Sequence, residues 1–413
     1  MRERLNERLA KPWRPKAVCG FKSHPLRPMN YFELSLRLHK KLKGKLGVYS
    51  KTPIKNKKDL SSVYTPGVAE VSRAIAKDKK LLYDYTLKSN SVAVVSDGSA
   101  VLGLGNIGPE GALPVMEGKA VLFKEFGNID AYPICLATQD TEEIIKTIKN
   151  ISVGFGGINL EDISAPRCFE IEERLKKELD IPVMHDDQHG TAIVVLAAII
   201  NALKVVKKNK TKVKIVVNGA GAAAIATVNL FLRYGIPGKN IIMVDSLGII
   251  YKGRGNLNPY KEKIGSLTNP KNIKGGLDMA LQNADVFLGV SVANVLKEEW
   301  VERMADNPVV IAMANPNPEI SMENAKKTKI KVFGTGRSDF PNQVNNVLVF
   351  PGIFRGVLDA RAKQITEKMK IAAAEAIANL VSRKELRADY IIPPPFDKRV
   401  ASAVAQAIIS SHK

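Results

Sequence analysis

The chain has 413 residues and is 45% hydrophobic, which is enough for roughly two or three domains with cores of their own. Its formal net charge is +21, but aromatic residues make up only 6% and do not alternate with basic ones. This pattern favours a lysine-rich surface that attracts anionic ligands over a nucleic-acid groove. The longest apolar run, residues 192–200, is too short to span a membrane. We therefore expect neither a nucleic-acid nor a membrane partner.

The three cysteines (Cys19, Cys135 and Cys168) lie far apart and have no metal-ligand spacing. They indicate a reducing compartment, and we expect a cytoplasmic protein. Residues 1–28 form a basic tail with eight Arg or Lys and four prolines. This tail fits a disordered arm, a transit peptide or an extension upstream of the native start. We favour the last interpretation, because Met29 directly precedes the first predicted helix, residues 31–43.

Two elements near the N-terminus carry residues that gain importance later. Tyr64 stands just before the Pro66-Gly67 turn, and a helix is predicted over residues 68–76. Further on, residues 91–96 and 100–103 are predicted as a hairpin around Asp97-Gly98. On pattern alone, Tyr64 is a packing residue at a domain edge. Lys119, in the helix predicted over residues 113–126, is likewise an ordinary solvated or snorkelling lysine.

Two predicted strand ends each deliver a pair of carboxylates. Glu161 and Asp162 follow one apolar segment, and Asp186 and Asp187 follow the strand predicted over residues 181–184. Because the carboxyl ends of parallel strands open into the same cleft, these acids are expected to meet. Their like charges repel unless a cation binds, and oxygen ligands of this kind suit Mg²⁺ or Mn²⁺. The alternative is that the acids cap helices and pair with surface lysines.

A strand predicted over residues 213–217 runs into a glycine-rich turn and then a helix over residues 225–234. The next strand, residues 241–244, ends at Asp245, where an acid can accept hydrogen bonds from a ribose hydroxyl. This order favours a dinucleotide site over a plain glycine turn. The residues assigned to the cofactor are Gly219, Gly221, Ala222, Ala224, Asp245, Ser291 and Asn315.

Strands predicted over residues 286–290, 309–313 and 331–336 extend this second sheet, and C-terminal helices are predicted over residues 359–381 and 400–409. The predicted fold class is α/β. An N-terminal α/β domain for substrate and metal occupies residues 29–189. A Rossmann-like, doubly wound NAD-binding domain with C-terminal helices occupies residues 190–413.

Seven motifs together resemble the malic enzymes in their compact microbial form. In chain order they are YTPGVA, SDGSAVLGLGNIGPEGALPVMEGKAVLFK, INLEDI, HDDQHGTA, NGAGAAA, ANPNPE and NNVLVFPG. The resemblance covers about residues 34–407. It implies oxidative decarboxylation of (S)-malate to pyruvate and CO₂, with a nicotinamide cofactor and Mg²⁺ or Mn²⁺. It also implies a homodimer.

The resemblance assigns roles that the residue patterns alone do not give. Lys119 corresponds to the general base for the malate C2 hydroxyl, and Tyr64 to the acid that protonates the enol carbon after CO₂ leaves. The remaining assignments are metal ligands at Glu161, Asp162 and Asp187, an orienting carboxylate at Asp186, and malate-binding amides at Asn315 and Asn346.

Three points stay open at the level of sequence. Larger family members carry a substrate-binding Arg where this chain has Ser99-Ala100, so another group must bind that malate carboxylate. A malolactic enzyme, which converts malate to lactate with the cofactor retained, fits the same motifs. A basic nucleic-acid-binding protein with a vestigial Rossmann domain is a more distant alternative.

The sequence predicts that NAD⁺ is preferred over NADP⁺. Asp245 would repel a 2′-phosphate, and Leu247, two residues further on, offers no positive charge. The prediction depends on Lys252 and Arg254, because either cation would bind the phosphate if it folded back toward Asp245.

Overall fold

The computed structural model describes residues 31–101 and 103–412. The predicted basic tail, residues 1–28, therefore lies outside the described residues. The chain divides into two compact units, Met1–Lys45 and Leu46–Lys413. The described part of the first unit contains helix α1 (Tyr31–Leu42), which has no buried residue. The second unit contains both sheets.

The first sheet has four parallel strands in the order β2-β1-β3-β4. Its strands are β1 (Ser91–Ser96), β2 (Asp130–Cys135), β3 (Gly157–Leu160) and β4 (Val183–His185). All six residues of β1 are buried, and this strand is rich in valine. An apolar strand buried on both faces is typical of the interior of a parallel sheet, where helices cover both sides.

The predicted hairpin around Asp97-Gly98 is wrong. β1 pairs in parallel with β2 and β3, and the following segment forms only an isolated bridge between Val101 and Gly105. Asp97 instead accepts hydrogen bonds from the backbone N–H and the hydroxyl of Ser99, at 3.0 and 2.6 Å. This local turn directs the chain away from the sheet, toward a helix that begins at Gly108.

The second sheet has six strands in the order β10-β9-β8-β5-β6-β7, and all pairs are parallel except β6 with β7. Its strands are β5 (Ile215–Asn218), β6 (Ile241–Asp245), β7 (Gly248–Ile249), β8 (Val286–Gly289), β9 (Val309–Ala312) and β10 (Val332–Thr335). The strand order reverses direction between β5 and β8, as in a doubly wound sheet. The α/β prediction is therefore confirmed.

The second unit contains the remaining helices of the described residues. They are α2 (Lys57–Val63), α3 (Val68–Lys77), α4 (Leu82–Tyr85), α5 (Gly108–Gly127), α6 (Thr141–Ile151), α7 (Arg167–Glu178), α8 (Asp186–Val205), α9 (Ala222–Arg233), α10 (Pro259–Leu267), α11 (Leu277–Ala280), α12 (Glu298–Val301), α13 (Met322–Ala325), α14 (Phe350–Asp359), α15 (Glu367–Asn379) and α16 (Arg399–His412). The helix predicted over residues 359–381 begins only at Glu367 and corresponds to α15, because α14 ends at Asp359 and Thr366 caps the start of α15.

Helix α8 is the central helix of the second unit. It begins at Asp186, so Asp186 and Asp187 lie in its first turn. Acids are favourable there because the N-terminus of a helix carries partial positive charge. By length and composition α8 would also suffice to cross a membrane, but 78% of its apolar stretch is buried inside the protein. The domain boundary at residues 189–190 falls within α8 and stays a prediction.

Candidate active site

Four carboxylates converge where strands β3 and β4 end. Glu161 follows β3, and its backbone N–H donates to the carbonyl of Val95 on β1 at 2.9 Å. Oxygen atoms of Glu161, Asp162 and Asp187 all lie within 4.8 Å of one another. The backbone N–H of Asp162 donates to Oδ2 of Asp187 at 2.9 Å, which joins the two strand ends. The structure thus brings together the acids that the sequence placed in one cleft.

The chemistry of this carboxylate cluster fits a divalent cation. Burial raises the pKa of the Glu161 carboxyl well above its ordinary value, and the charges of Asp187 and Asp186 raise it further against the opposing effect of Lys119. Carboxylates held this close, with two of the three buried, repel one another unless a cation neutralises them. Three oxygen donors also leave coordination positions open, as Mg²⁺ and Mn²⁺ sites do.

Lys119 lies beside this cluster and is only 7% exposed. Helix α5 positions its Nζ 2.5 Å from Oδ2 of Asp186 and 2.7 Å from Oε1 of Glu161. The ammonium also lies over the ring of Phe350, 4.2 Å from its centroid. Burial alone would lower the pKa of Lys119, but Asp186 and Glu161 outweigh it and hold that pKa above its ordinary value. A lysine so placed can exchange a proton with a group bound between it and the cluster.

Asp186 links Lys119 to a predicted substrate residue. The Asn346 amide donates to Oδ2 of Asp186 at 2.7 Å, and Lys119 contacts the same oxygen. Asp186 is fully buried. A buried carboxylate with two donors on one oxygen holds both donors in fixed positions. Asp186 is therefore well placed to orient Lys119 and Asn346, and its role as an orienting carboxylate stays a prediction.

Tyr64 is not part of this arrangement in the single chain. Its side chain is 67% exposed, and neither α2 nor α3, the helices on either side of it, has a buried residue. Among the described residues, the hydrogen bonds of Tyr64 are backbone bonds to Leu60 and Val68. The role of Tyr64 as a catalytic acid therefore stays a prediction.

The glycine-rich turn follows β5, as predicted. Gly219 has a φ of 124°, in the left-handed region, and a Cβ there would lie 2.5 Å from the carbonyl oxygen of Val290. Gly221 caps the N-terminus of α9, and no other atom lies within 4 Å of the position that a Cβ would occupy there. Asn218 donates to Oγ of Ser291 at 2.7 Å, which ties the end of β5 to the loop after β8. An open glycine turn at a helix N-terminus can receive a pyrophosphate.

Asp245 ends β6, but it is not a free acid. Arg254 donates to both of its oxygens at 2.9 and 2.5 Å, and Lys261 to Oδ2 at 2.8 Å. The Leu247 backbone N–H occupies Oδ1 as well, at 3.0 Å. Burial would raise the pKa of Asp245, but Arg254 and Lys261 lower it to about 2. Of the two cations that the sequence left open, Arg254 does fold back to Asp245, and Lys261 joins it.

Comparison with known proteins decides the family. Residues 43–176 match the family model described as malic enzyme, N-terminal domain. Residues 188–412 match the one described as malic enzyme, NAD binding domain. The chain belongs to the malic enzyme family. Its α/β fold therefore combines an N-terminal malic enzyme domain with an NAD-binding domain, as the motifs indicated.

Similar proteins cover nearly the whole chain. A bifunctional malic/malolactic enzyme of Bacillus subtilis is 59% identical over 92% of this chain and 92% of its own. An NADP-dependent malic enzyme of Halomonas elongata is 48% identical over 90% of this chain and 92% of its own. The crystal structure of the Thermotoga maritima NAD-dependent malic enzyme matches with a TM-score of 0.87 and 50% identity, over 91% of this chain and 98% of that one.

Sequence reasoning missed a buried network that underlies the first turn of α8. Oε1 of Glu172 accepts the backbone N–H of His185 at 3.0 Å, and Oε2 of Glu172 lies 2.9 Å from His189 Nε2. Lys370, from α15, reaches Nδ1 of His189 at 2.9 Å. Burial lowers the pKa of His189 to about 4, so the ring is neutral near pH 7. Its Nδ1 accepts from the Lys370 amine, and its Nε2–H donates to the Glu172 carboxylate. The only sequence signal was His189 within HDDQHGTA.

A second missed residue is Arg167, at the start of α7. Its guanidinium donates to the hydroxyl of Ser99 at 3.0 Å and lies 2.9 Å from Oδ2 of Asp97. Ser99 begins the Ser99-Ala100 pair that replaces the family arginine. A guanidinium thus does reach this region, but from a helix 68 residues further along the chain, which no local motif reveals.

Proposed function

We propose that this chain catalyses the oxidative decarboxylation of (S)-malate to pyruvate and CO₂, coupled to reduction of NAD⁺ or NADP⁺ and dependent on Mg²⁺ or Mn²⁺. The observation that carries the proposal is the buried Lys119, whose Nζ contacts both Asp186 and Glu161 at the edge of the carboxylate cluster. The test is to add malate to the protein with each cofactor, with and without Mn²⁺, and to follow reduced cofactor by absorbance.

The chain's own residues account for the proton transfers. Lys119 takes the proton of the C2 hydroxyl as hydride leaves C2 for the nicotinamide. Asp186 holds the resulting Lys119 ammonium in position, and Asn346 holds the substrate beside it. Glu161, Asp162 and Asp187 would hold the cation. When bound, such a cation supplies Lewis-acid chemistry, polarising the C2 oxygen and stabilising negative charge as CO₂ leaves. With a cation bound, Glu161 would stabilise the Lys119 ammonium less, which would favour the neutral amine that a base requires.

A malolactic activity is the second candidate. It has specific support in the Bacillus subtilis relative, which is named a bifunctional malic/malolactic enzyme and is 59% identical. Both reactions start from malate, but the malolactic reaction yields lactate and leaves no net reduced cofactor. Quantifying lactate beside pyruvate therefore separates the two.

For the cofactor, we propose that NAD⁺ is preferred because Asp245 neutralises Arg254 and Lys261. Asp245→Asn should release both cations toward a 2′-phosphate and raise the ratio of kcat/KM for NADP⁺ to that for NAD⁺ by at least about tenfold. Asp306→Asn, at an exposed acid in the loop before β9, is the control. A wild-type kcat/KM for NADP⁺ equal to or above that for NAD⁺ would contradict the preference.

We also propose a homodimer, supported by the apolar side chains exposed around Tyr64. These are Val48, Tyr49, Ile54, Leu60 and Val63, all at least 40% exposed. Exposed apolar side chains grouped in one short segment favour an interaction site. Sedimentation of the wild-type chain should give twice the 45.1 kDa chain mass.

Tyr64→Phe should affect the second half of the reaction more than the first. The hydroxyl that protonates the enol carbon is lost, so pyruvate formation should slow by about 10²–10⁴-fold while hydride transfer changes less. The measurement follows reduced cofactor and pyruvate separately, with malate and then oxaloacetate as substrate. Tyr85→Phe, at another exposed tyrosine, is the matched control. Wild-type behaviour of Tyr64→Phe with both substrates would make Tyr64 a packing residue.

A further inference from the structure

One buried carboxylate joins the loops that follow β8 and β9. Glu319 is 0% exposed. Its Oε1 accepts the backbone N–H of Ser291 at 3.0 Å, and its Oε2 accepts that of Ala314 at 3.1 Å. Ser291 lies just beyond β8, and Ala314 immediately precedes Asn315 beyond β9. A single side chain therefore fixes the spacing of the two loops that carry predicted dinucleotide-binding residues.

The main chain around Glu319 strengthens this connection. The backbone N–H of Leu296 donates to the carbonyl of Glu319 at 2.9 Å, and that of Asn294 donates to the carbonyl of Pro318 at 3.1 Å. Strand β8 also leaves room for the side chain, because a Cβ on Gly289 would lie 2.3 Å from Cδ of Glu319. Any larger residue at position 289 would displace the carboxylate.

Within the described part of the chain, no charge of a Lys, Arg or His acts on the Glu319 carboxyl. Burial raises the pKa of this carboxyl, against the opposing effect of the Ser291 and Ala314 N–H groups. Burying an acid without a cationic partner costs free energy. What Glu319 gives in return is its two hydrogen bonds to the backbone N–H groups of Ser291 and Ala314. A carboxylate can accept on both oxygens, whereas a glutamine amide accepts on one and donates from the other.

We infer that Glu319 positions the residues that bind the dinucleotide without touching the dinucleotide itself. By holding Ser291 and Asn315 at a fixed separation, Glu319 sets the affinity for the cofactor. The inference rests on the proposed function in placing both residues at the cofactor. It does not depend on malate chemistry, so cofactor binding alone can test it.

The test is titration of NAD⁺ alone, without malate or metal, into the wild type and Glu319→Gln by calorimetry. Glu319→Gln turns an amide N–H₂ toward one backbone N–H, which leaves that buried donor unpaired. We expect the dissociation constant for NAD⁺ to rise by about tenfold to a hundredfold. In steady state the KM for NAD⁺ should rise similarly, while kcat at saturating NAD⁺ changes by less than about threefold.

Two further variants keep the inference open to refutation. Glu323→Gln makes the same chemical change four residues further on, at a side chain that is 83% exposed, and should bind NAD⁺ like the wild type. Gly289→Ala displaces the carboxylate without removing it and should also weaken NAD⁺ binding. This variant tests the inference even when Glu319→Gln does not fold. Wild-type affinity in a folded Glu319→Gln or Gly289→Ala would overturn the inference alone. Failure of the wild type to bind either NAD⁺ or NADP⁺ would overturn the proposed function as well.

Discussion

Lys119→Ala is expected to slow malate oxidation by about 10²–10⁴-fold, the usual contribution of a general base. Lys119 is the buried amine that bridges Asp186 and Glu161, and its removal leaves no group in that position to take the hydroxyl proton. The KM for the dinucleotide should change little, because Lys119 does not lie at the glycine-rich turn. Small primary amines in the medium should restore part of the rate by entering the space that the side chain leaves.

The matched control is Lys124→Ala. Lys124 lies on the same helix, α5, and pairs with Asp130 at 2.8 Å, but its side chain is 38% exposed and remote from the carboxylate cluster. Single-turnover measurement of reduced cofactor compares the two variants directly. Normal malate oxidation by Lys119→Ala would place the base elsewhere and remove the central residue of the mechanism.

Asp187→Ala is expected to raise the Mn²⁺ concentration needed for half-maximal activity by about a hundredfold or more, since changes to groups that merely support metal ligands already cost 10–100-fold. Asp187 supplies one of the three clustered carboxylates and also accepts the backbone N–H of Asp162. The loss thus removes a donor and loosens the loop that presents a second one. Wild-type protein in excess EDTA should be inactive and should recover on addition of Mn²⁺.

Asp180→Ala is the control for this change. Asp180 is an acid just beyond α7 whose side chain is 87% exposed and pairs with Lys363. It should leave the Mn²⁺ requirement unchanged. Full activity of the wild type in excess EDTA would contradict the assignment of the carboxylate cluster to a metal.

The sequence predicted those parts of the site that depend on strand ends. Glu161 and Asp187 were expected in one cleft because parallel strands open at the same edge, and this topology is visible in the pattern of apolar segments. The glycine-rich turn was found for the same reason. The Asp97-Gly98 hairpin failed because a turn signal gives no information on the partner of a strand, and β1 pairs with strands distant in sequence.

Contacts made by long side chains from distant segments were not predictable. Lys261 reaches Asp245 across 16 residues, and Lys370 reaches His189 across 181. No periodicity or motif in the sequence marks either pair of residues as a contact. The same limit explains Glu319, which looked like the end of the ANPNPE motif and proved to be a buried acceptor for two loops.

The most direct test of the central claim is the stoichiometry of one reaction. Malate, NAD⁺ and Mn²⁺ are incubated with the wild-type chain, and NADH, pyruvate and lactate are quantified in the same sample. Oxidative decarboxylation predicts NADH and pyruvate in equal amounts, with formation abolished by EDTA and by Lys119→Ala. Lactate as the main product without net NADH, or consumption of no malate at all, would contradict the account.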